Sequence, residues 1–145
     1  MSAADRLLAR LEGVRETGAG RWIACCPAHK DKSPSLSIRE LSDGRVLLHD
    51  FGACETLDVL GAVGLELKDL YPDSLPNPRR ERYGPSRDRI HPADALRCVS
   101  HEATLVAIVA SSLAEGRTVT AADADRVALA AGRIRGALDV TGVSA

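Results

Sequence analysis

Apolar positions recur at helical spacing at the start of the chain, change to strand alternation in the middle, and return to helical spacing after a break. Residues 2–12 predict a short amphipathic helix: Ser2 and Asp5 form a capping pair, and Leu7, Leu8 and Leu11 share one face. The glycine-rich stretch 13–20 ends it. Residues 21–24 predict a short strand. Ser35-Leu36-Ser37-Ile38-Arg39 alternates polar and apolar residues, as a half-buried strand does, with Leu36 and Ile38 facing inward. Ser42-Asp43-Gly44 predicts a hairpin turn, and residues 45–49 a returning strand that carries Val46, Leu47 and Leu48. Thr56 opens a helix with Leu57, Leu60, Ala62 and Val63, closed by Gly64, and residues 65–70 add one more apolar turn.

Between residues 72 and 92 the pattern breaks. Five of the seven prolines fall between Tyr71 and Pro92, beside Arg79, Arg80, Arg82, Arg87 and Arg89. Proline removes backbone donors and fixes φ, so the segment is expected to be an extended, locally basic linker. Residues 93–115 then predict a long helix stopped by Gly116. Thr120 and Asp123 form a second capping box, opening a helix to about residue 139. Leu105, Val106, Ile108, Val109 and Leu113 are expected to face Val127, Leu129, Ile134 and Leu138. The expected fold is α+β: a small β-hairpin domain with flanking helices over 1–71, a linker over 72–92, and an antiparallel helical hairpin over 93–140. Two such helices seldom stand alone in water, so the hairpin must pack on the first domain, pair with a second copy, or bind another protein.

Composition narrows the chemistry. The chain has 145 residues with one Trp, one Phe and two Tyr, so a small domain lacks bulky aromatic filling and calls for another staple. The net charge of −1 gives no global positive field, and any basic surface must be local. No secretory pattern opens the sequence and no continuous apolar run reaches the ~18 residues of a membrane span, so a cytoplasmic protein without a membrane partner is expected. In a reducing compartment, clustered Cys and His favour a metal over disulfides.

Such a cluster is present. Cys26-Pro27-Ala28-His29 has the Cys-x2-His spacing of a metal knuckle, and the returning strand ends in His49-Asp50-Phe51-Gly52-Ala53-Cys54. A hairpin between them brings the two groups together, as in zinc ribbons. Structural zinc (Zn2+) takes four ligands, and three are plain: Cys26, His29 and Cys54. Asp50, His49 and Cys25 compete for the fourth place. Ligand preference ranks His49 or Cys25 above Asp50. Alternation along an extended chain disfavours Cys25, which points away from its neighbour, whereas the end of the strand leaves His49 and Asp50 open. Cys98 and His101 repeat the Cys-x2-His spacing with no returning pair, which favours a buried Cys beside a partly exposed His over a second metal site.

Residues 22–71 resemble the zinc-binding domain of bacterial and phage DNA primases. The shared features are Cys26-Pro-x-His29, the Ser33-Pro34-Ser35-Leu36-Ser37 strand, a hairpin, His49-Asp50-Phe51-Gly52-x-Cys54, and the helix that follows. The likeness covers about a third of the chain. It implies that Asp50 stands where the family usually has a ligand Cys and that His49 matches a flanking, non-ligating His. It also implies a role in binding single-stranded DNA template.

Arg21, Lys30, Lys32, Ser33, Ser35, Arg39 and Arg45 surround the knuckle as donors suited to phosphates, and Trp22 or Phe51 are candidates to stack on a base. Catalytic machinery is not evident. Asp123-Ala124-Asp125 sits in the first turn of a helix, where acidic residues favour the helix dipole, and no phosphate-binding lysine motif occurs. The expectation is a non-catalytic zinc-binding nucleic-acid module in phage or mobile-element DNA replication. Its expected partners are single-stranded DNA, a separate primase or helicase, or a second copy joined through the C-terminal helices. The alternative is a small zinc-stabilised interaction or inhibitor protein.

Overall fold

The structure, a computed structural model, describes residues 1–30, 32–73 and 89–144. Helix α1 (Ala3–Leu8) leads into strands β1 (Arg15–Gly18), β2 (Arg21–Ala24), β3 (Leu36–Glu40) and β4 (Val46–Asp50). Helix α2 (Thr56–Ala62) and a 3-10 turn (Leu67–Leu70) follow, then α3 (Pro92–Ala114) and α4 (Ala121–Thr141). The four strands form an antiparallel meander in the order β1-β2-β3-β4. The fold is α+β, with a helical hairpin at the C-terminal side, as the hydrophobic pattern predicts.

Strand β1 is the element the pattern does not show. Its sequence, Arg-Glu-Thr-Gly, has no apolar alternation because it is an edge strand, half of it exposed. Helix α1 is shorter than expected. It closes at Leu8, and Gly13 (φ +64°) then turns the chain toward β1. A Cβ at Gly13 would lie 2.9 Å from the Cys25 sulfur, so both the backbone angle and the space require glycine. Most of the linker expected over 72–92, including Arg79, Arg80, Arg82 and Arg87, lies outside the described residues.

Strand alternation divides the core between the two faces of the sheet. On one face Ala24, Leu36, Ile38 and Val46 pack with Ala3, Ala4 and Leu7 of α1, Val59 and Leu60 of α2, and Leu70. The registers Trp22↔Ile38↔Leu48 and Ala24↔Leu36↔Asp50 keep these positions aligned across three strands. On the other face Ile23 and Phe51 pack with Ile90 and with Ala95, Cys98 and Val99 of α3, bordered by Ile134, Ala137 and Val140 of α4. The helical hairpin therefore docks on the sheet.

Ion pairs set that docking. Asp94 on α3 is 1 % exposed and meets Arg97 at 3.0 Å and Arg21 of β2 at 3.6 Å. Glu102, also buried, receives Arg126 at 2.7 Å and Arg133 at 2.8 Å from α4. Every buried residue of α3 lies between Asp94 and Glu102. Beyond Glu102 the two helices bury only the seam between them. Leu105, Val106, Val109 and Val127 are half-buried there and Ile134 borders the core on the sheet, whereas Ile108, Leu113, Leu129 and Leu138 face outward. A pair of helices encloses a single stripe on each, so the full apolar set expected at their contact cannot fit in it. By length and composition α3 is apolar enough to cross a membrane, although interspersed Ser100, His101 and Thr104 deny it a continuous apolar run.

Candidate metal centre

Two turns build the centre. The first leaves β2 at Ala24 and places Cys26 in the interior, 3 % exposed, with the backbone N–H of Ala28 directed at its sulfur. This N–H-to-sulfur contact is what tightens residues 26–29 into a knuckle and brings His29 round to the same point. The second turn leaves β4. Asp50 is the last residue of the strand and lies on the same face as Leu48 and Val46, toward the α1–α2 core. Its backbone carbonyl accepts from Ala53, whose φ of +73° is the one left-handed non-glycine angle among the described residues. The chain thereby folds back so that Cys54 faces Asp50.

One ligand atom from each of Cys26, His29, Asp50 and Cys54 lies within 4.8 Å of all the others, a group able to hold a metal ion. His29 Nδ1 sits 3.2 Å from Cys54 Sγ and 3.7 Å from Asp50 Oδ2. Gly52 makes room for the imidazole: a Cβ there would stand 2.5 Å from His29 Cε1 and 2.9 Å from Asp50 Oδ2. The Asp50 carboxylate is fixed from two sides. Ser35 Oγ donates to Oδ1 at 2.7 Å, and the Cys54 N–H donates to Oδ2 at 3.0 Å. Support of this kind orients a ligating carboxylate.

Strand parity decides between the candidates for the fourth position. Because β4 stays extended through Asp50, His49 points to the opposite face. There it meets Phe51 edge-on, with ring centroids 4.7 Å apart, beneath α3, and burial lowers its pKa. Cys25 is directed toward Gly13.

The donor chemistry suits a divalent cation. Burial raises the Cys26 thiol to about 12, countered by the Ala28 N–H and reinforced by the Asp50 and Cys54 charges. Burial, then the hydrogen bond and charge of Asp50, also raises Cys54. Two sulfurs, an imidazole and a carboxylate thus share one small space without a cationic side chain among them. A bound dication reverses this balance and favours the thiolates.

The residues suggested for nucleic acid take different places. Lys30 and Lys32 are exposed beside the knuckle. Arg21 is engaged with Asp94, Arg45 with Asp43 at 2.6 Å, and Arg39 donates to the backbone carbonyl of Arg89. Ser35 is buried on Asp50, Trp22 is half-buried against the α1–α2 core, and Phe51 is buried under α3. Cys98 sits in the core under α3 and His101 is exposed; both border one cleft, and among the described residues neither belongs to the group able to hold a metal. Sequence reasoning does not single out Arg133, whose guanidinium reaches the Gly52 carbonyl inside the metal loop at 3.0 Å. Nothing in its helical spacing distinguishes it from a solvated charge. No family model, curated protein or solved structure matches this chain.

Proposed function

We propose that the chain is a zinc-stabilised, non-catalytic module that binds single-stranded DNA, related to the zinc domains of DNA primases and acting in phage or mobile-element replication in the cytoplasm. The observation that carries it is the convergence of Cys26, His29, Asp50 and Cys54 at the open end of a β-hairpin, with Lys30 and Lys32 exposed on the loop beside them. Two thiolates and an imidazole are soft or borderline donors, which favours zinc over magnesium or calcium. Four protein donors close the shell, the arrangement of structural zinc, and zinc held there supplies folding free energy to a domain with few aromatics. The two lysines offer cations to phosphates at the edge of the rigid knuckle.

Fluorescence anisotropy with labelled single-stranded DNA at low salt tests this. Binding is expected to weaken as salt rises and to fall in the Lys30→Ala, Lys32→Ala double variant. Absence of binding at low salt contradicts it.

A second reading has its own support. Ile108 and Leu113 are 61 % and 58 % exposed on the part of α3 beyond the sheet, and Leu129 of α4 is also outward. Large apolar side chains along a projecting helical hairpin suit contact with a replication protein, a regulated host or phage factor, or a second copy of the chain. Sedimentation measurements on the pure protein separate self-association from the other partners.

A further inference from the structure

A second feature lies on the opposite face of the sheet from the metal centre. Between the sheet and α3 runs a cleft of about 660 Å³ whose lining includes Arg15 of β1, Lys32 and Ser33 of the loop after the knuckle, and Leu96, Arg97 and Ser100 of α3. No carboxylate lines it among the described residues. Arg97 is paired with Asp94, but Asp94 also meets Arg21, so two guanidiniums face one carboxylate and a positive charge remains. Arg15 and Lys32 are exposed. Leu96, 70 % exposed, stands among these cations as a large apolar surface. A second cleft adjoins through Lys32 and Ser33 and carries Lys30 and His101. Its Glu102 is taken up by Arg126 and Arg133.

We propose that this cleft is the binding path for a single DNA strand, with phosphates on Arg15, Lys32 and Arg97 and an unstacked base against Leu96. Cations alone would suit any polyanion. Their placement around an exposed apolar side chain in a concave site matches a ligand that alternates phosphate with a flat apolar group, and only a single strand offers its base faces freely. Arg15 reaches the cleft because β1 pairs with β2 in the register Arg15↔Ile23, on the face that α3 covers. Half of the site thus comes from α3, outside the ribbon, which gives the docked helical hairpin a direct part in binding. The inference rests on the nucleic-acid reading above and shares Lys32 with it, but adds Arg15, Leu96 and Arg97, which that reading does not use.

The test measures anisotropy of labelled oligothymidine, of an abasic strand of equal length, and of poly-glutamate as competitor. It uses the full chain and its Arg15→Glu, Leu96→Ala and Arg117→Ala variants, each checked for unchanged zinc content and melting. Arg15→Glu is expected to weaken both strands and to flatten the salt dependence by about 0.7 in log–log slope for each phosphate that the variant no longer neutralises. Leu96→Ala is expected to weaken oligothymidine several-fold and leave the abasic strand unchanged, and Arg117→Ala to bind as the parent does. If Arg15→Glu and Leu96→Ala bind normally while the Lys30→Ala, Lys32→Ala variant does not, the cleft is overturned and the nucleic-acid reading stands. Poly-glutamate competing as well as the strand overturns the cleft in favour of an acidic protein partner. No binding by the parent chain overturns both.

Discussion

Arg133 on α4 donates to the carbonyl of Gly52, 3.0 Å away, in the turn between Asp50 and Cys54. The same guanidinium pairs with Glu102 on α3, so one side chain joins the metal loop to both helices of the hairpin. Phe51, the residue between Asp50 and Gly52, is buried under α3. Ordering of the metal loop and docking of the hairpin are therefore linked.

Replacing Arg133 with Met keeps the apolar stem and removes these donors. The loss is expected to lower unfolding free energy by about 1–3 kcal/mol, the range for a hydrogen bond to a charged group plus a carboxylate left with one partner fewer. Urea denaturation followed by far-ultraviolet circular dichroism measures it. A change within error of zero would show that the Arg133 contacts add nothing to the hold on the hairpin.

Ser35→Ala removes the hydroxyl that holds Asp50 Oδ1 at 2.7 Å. Metal affinity is expected to fall by about 10–100-fold, as for other supporting contacts to a ligand, with the fold intact when metal is saturating. His49→Ala is expected to leave metal stoichiometry unchanged, because His49 faces Phe51 on the far side of the sheet. Competition with a chromogenic chelator reads both. A stoichiometry lost in His49→Ala would contradict the geometry of β4.

Much of this arrangement is legible in the sequence. Leu36 and Ile38 face the α1–α2 core as their alternation predicts, and Cys26, His29 and Cys54 carry knuckle spacing. Ser37 is buried too, because α3 covers the other face, so β3 is buried on both faces rather than half-buried. Spacing does not fix the fourth position, since the end of β4 decides it and strand ends are weakly encoded. Ligand preference alone favours His49. Docking of the hairpin is hidden for another reason. Asp94 and Glu102 look like solvated helix charges, yet both are buried against arginines distant in sequence. Strand β1 carries no signal, because an edge strand of charged and small residues has no alternation to display.

Acid is expected to loosen the hairpin through Glu102. Burial alone would raise its carboxyl, but hydrogen bonds from Arg126 and Arg133 outweigh burial and leave the pKa below the ordinary 4.5. A depressed folded-state value means the stabilisation is fully present above the unfolded-state pKa and is lost as pH falls through the folded-state value. Unfolding free energy measured from pH 6 down to about 3 should therefore drop more steeply in the parent than in Glu102→Gln. Parallel profiles would show that Glu102 is not coupled to the fold.

The central claim is that a structural zinc ion holds the first domain together through Cys26, His29, Asp50 and Cys54. Elemental analysis of the purified chain, combined with circular dichroism before and after chelation, tests it most directly. The expected result is about one zinc per chain, lost in Cys26→Ala and Cys54→Ala, with the β-sheet signal collapsing on chelation and returning when zinc is restored. A chain that keeps the same spectrum and melting temperature without metal, with no zinc taken up on titration, would contradict it.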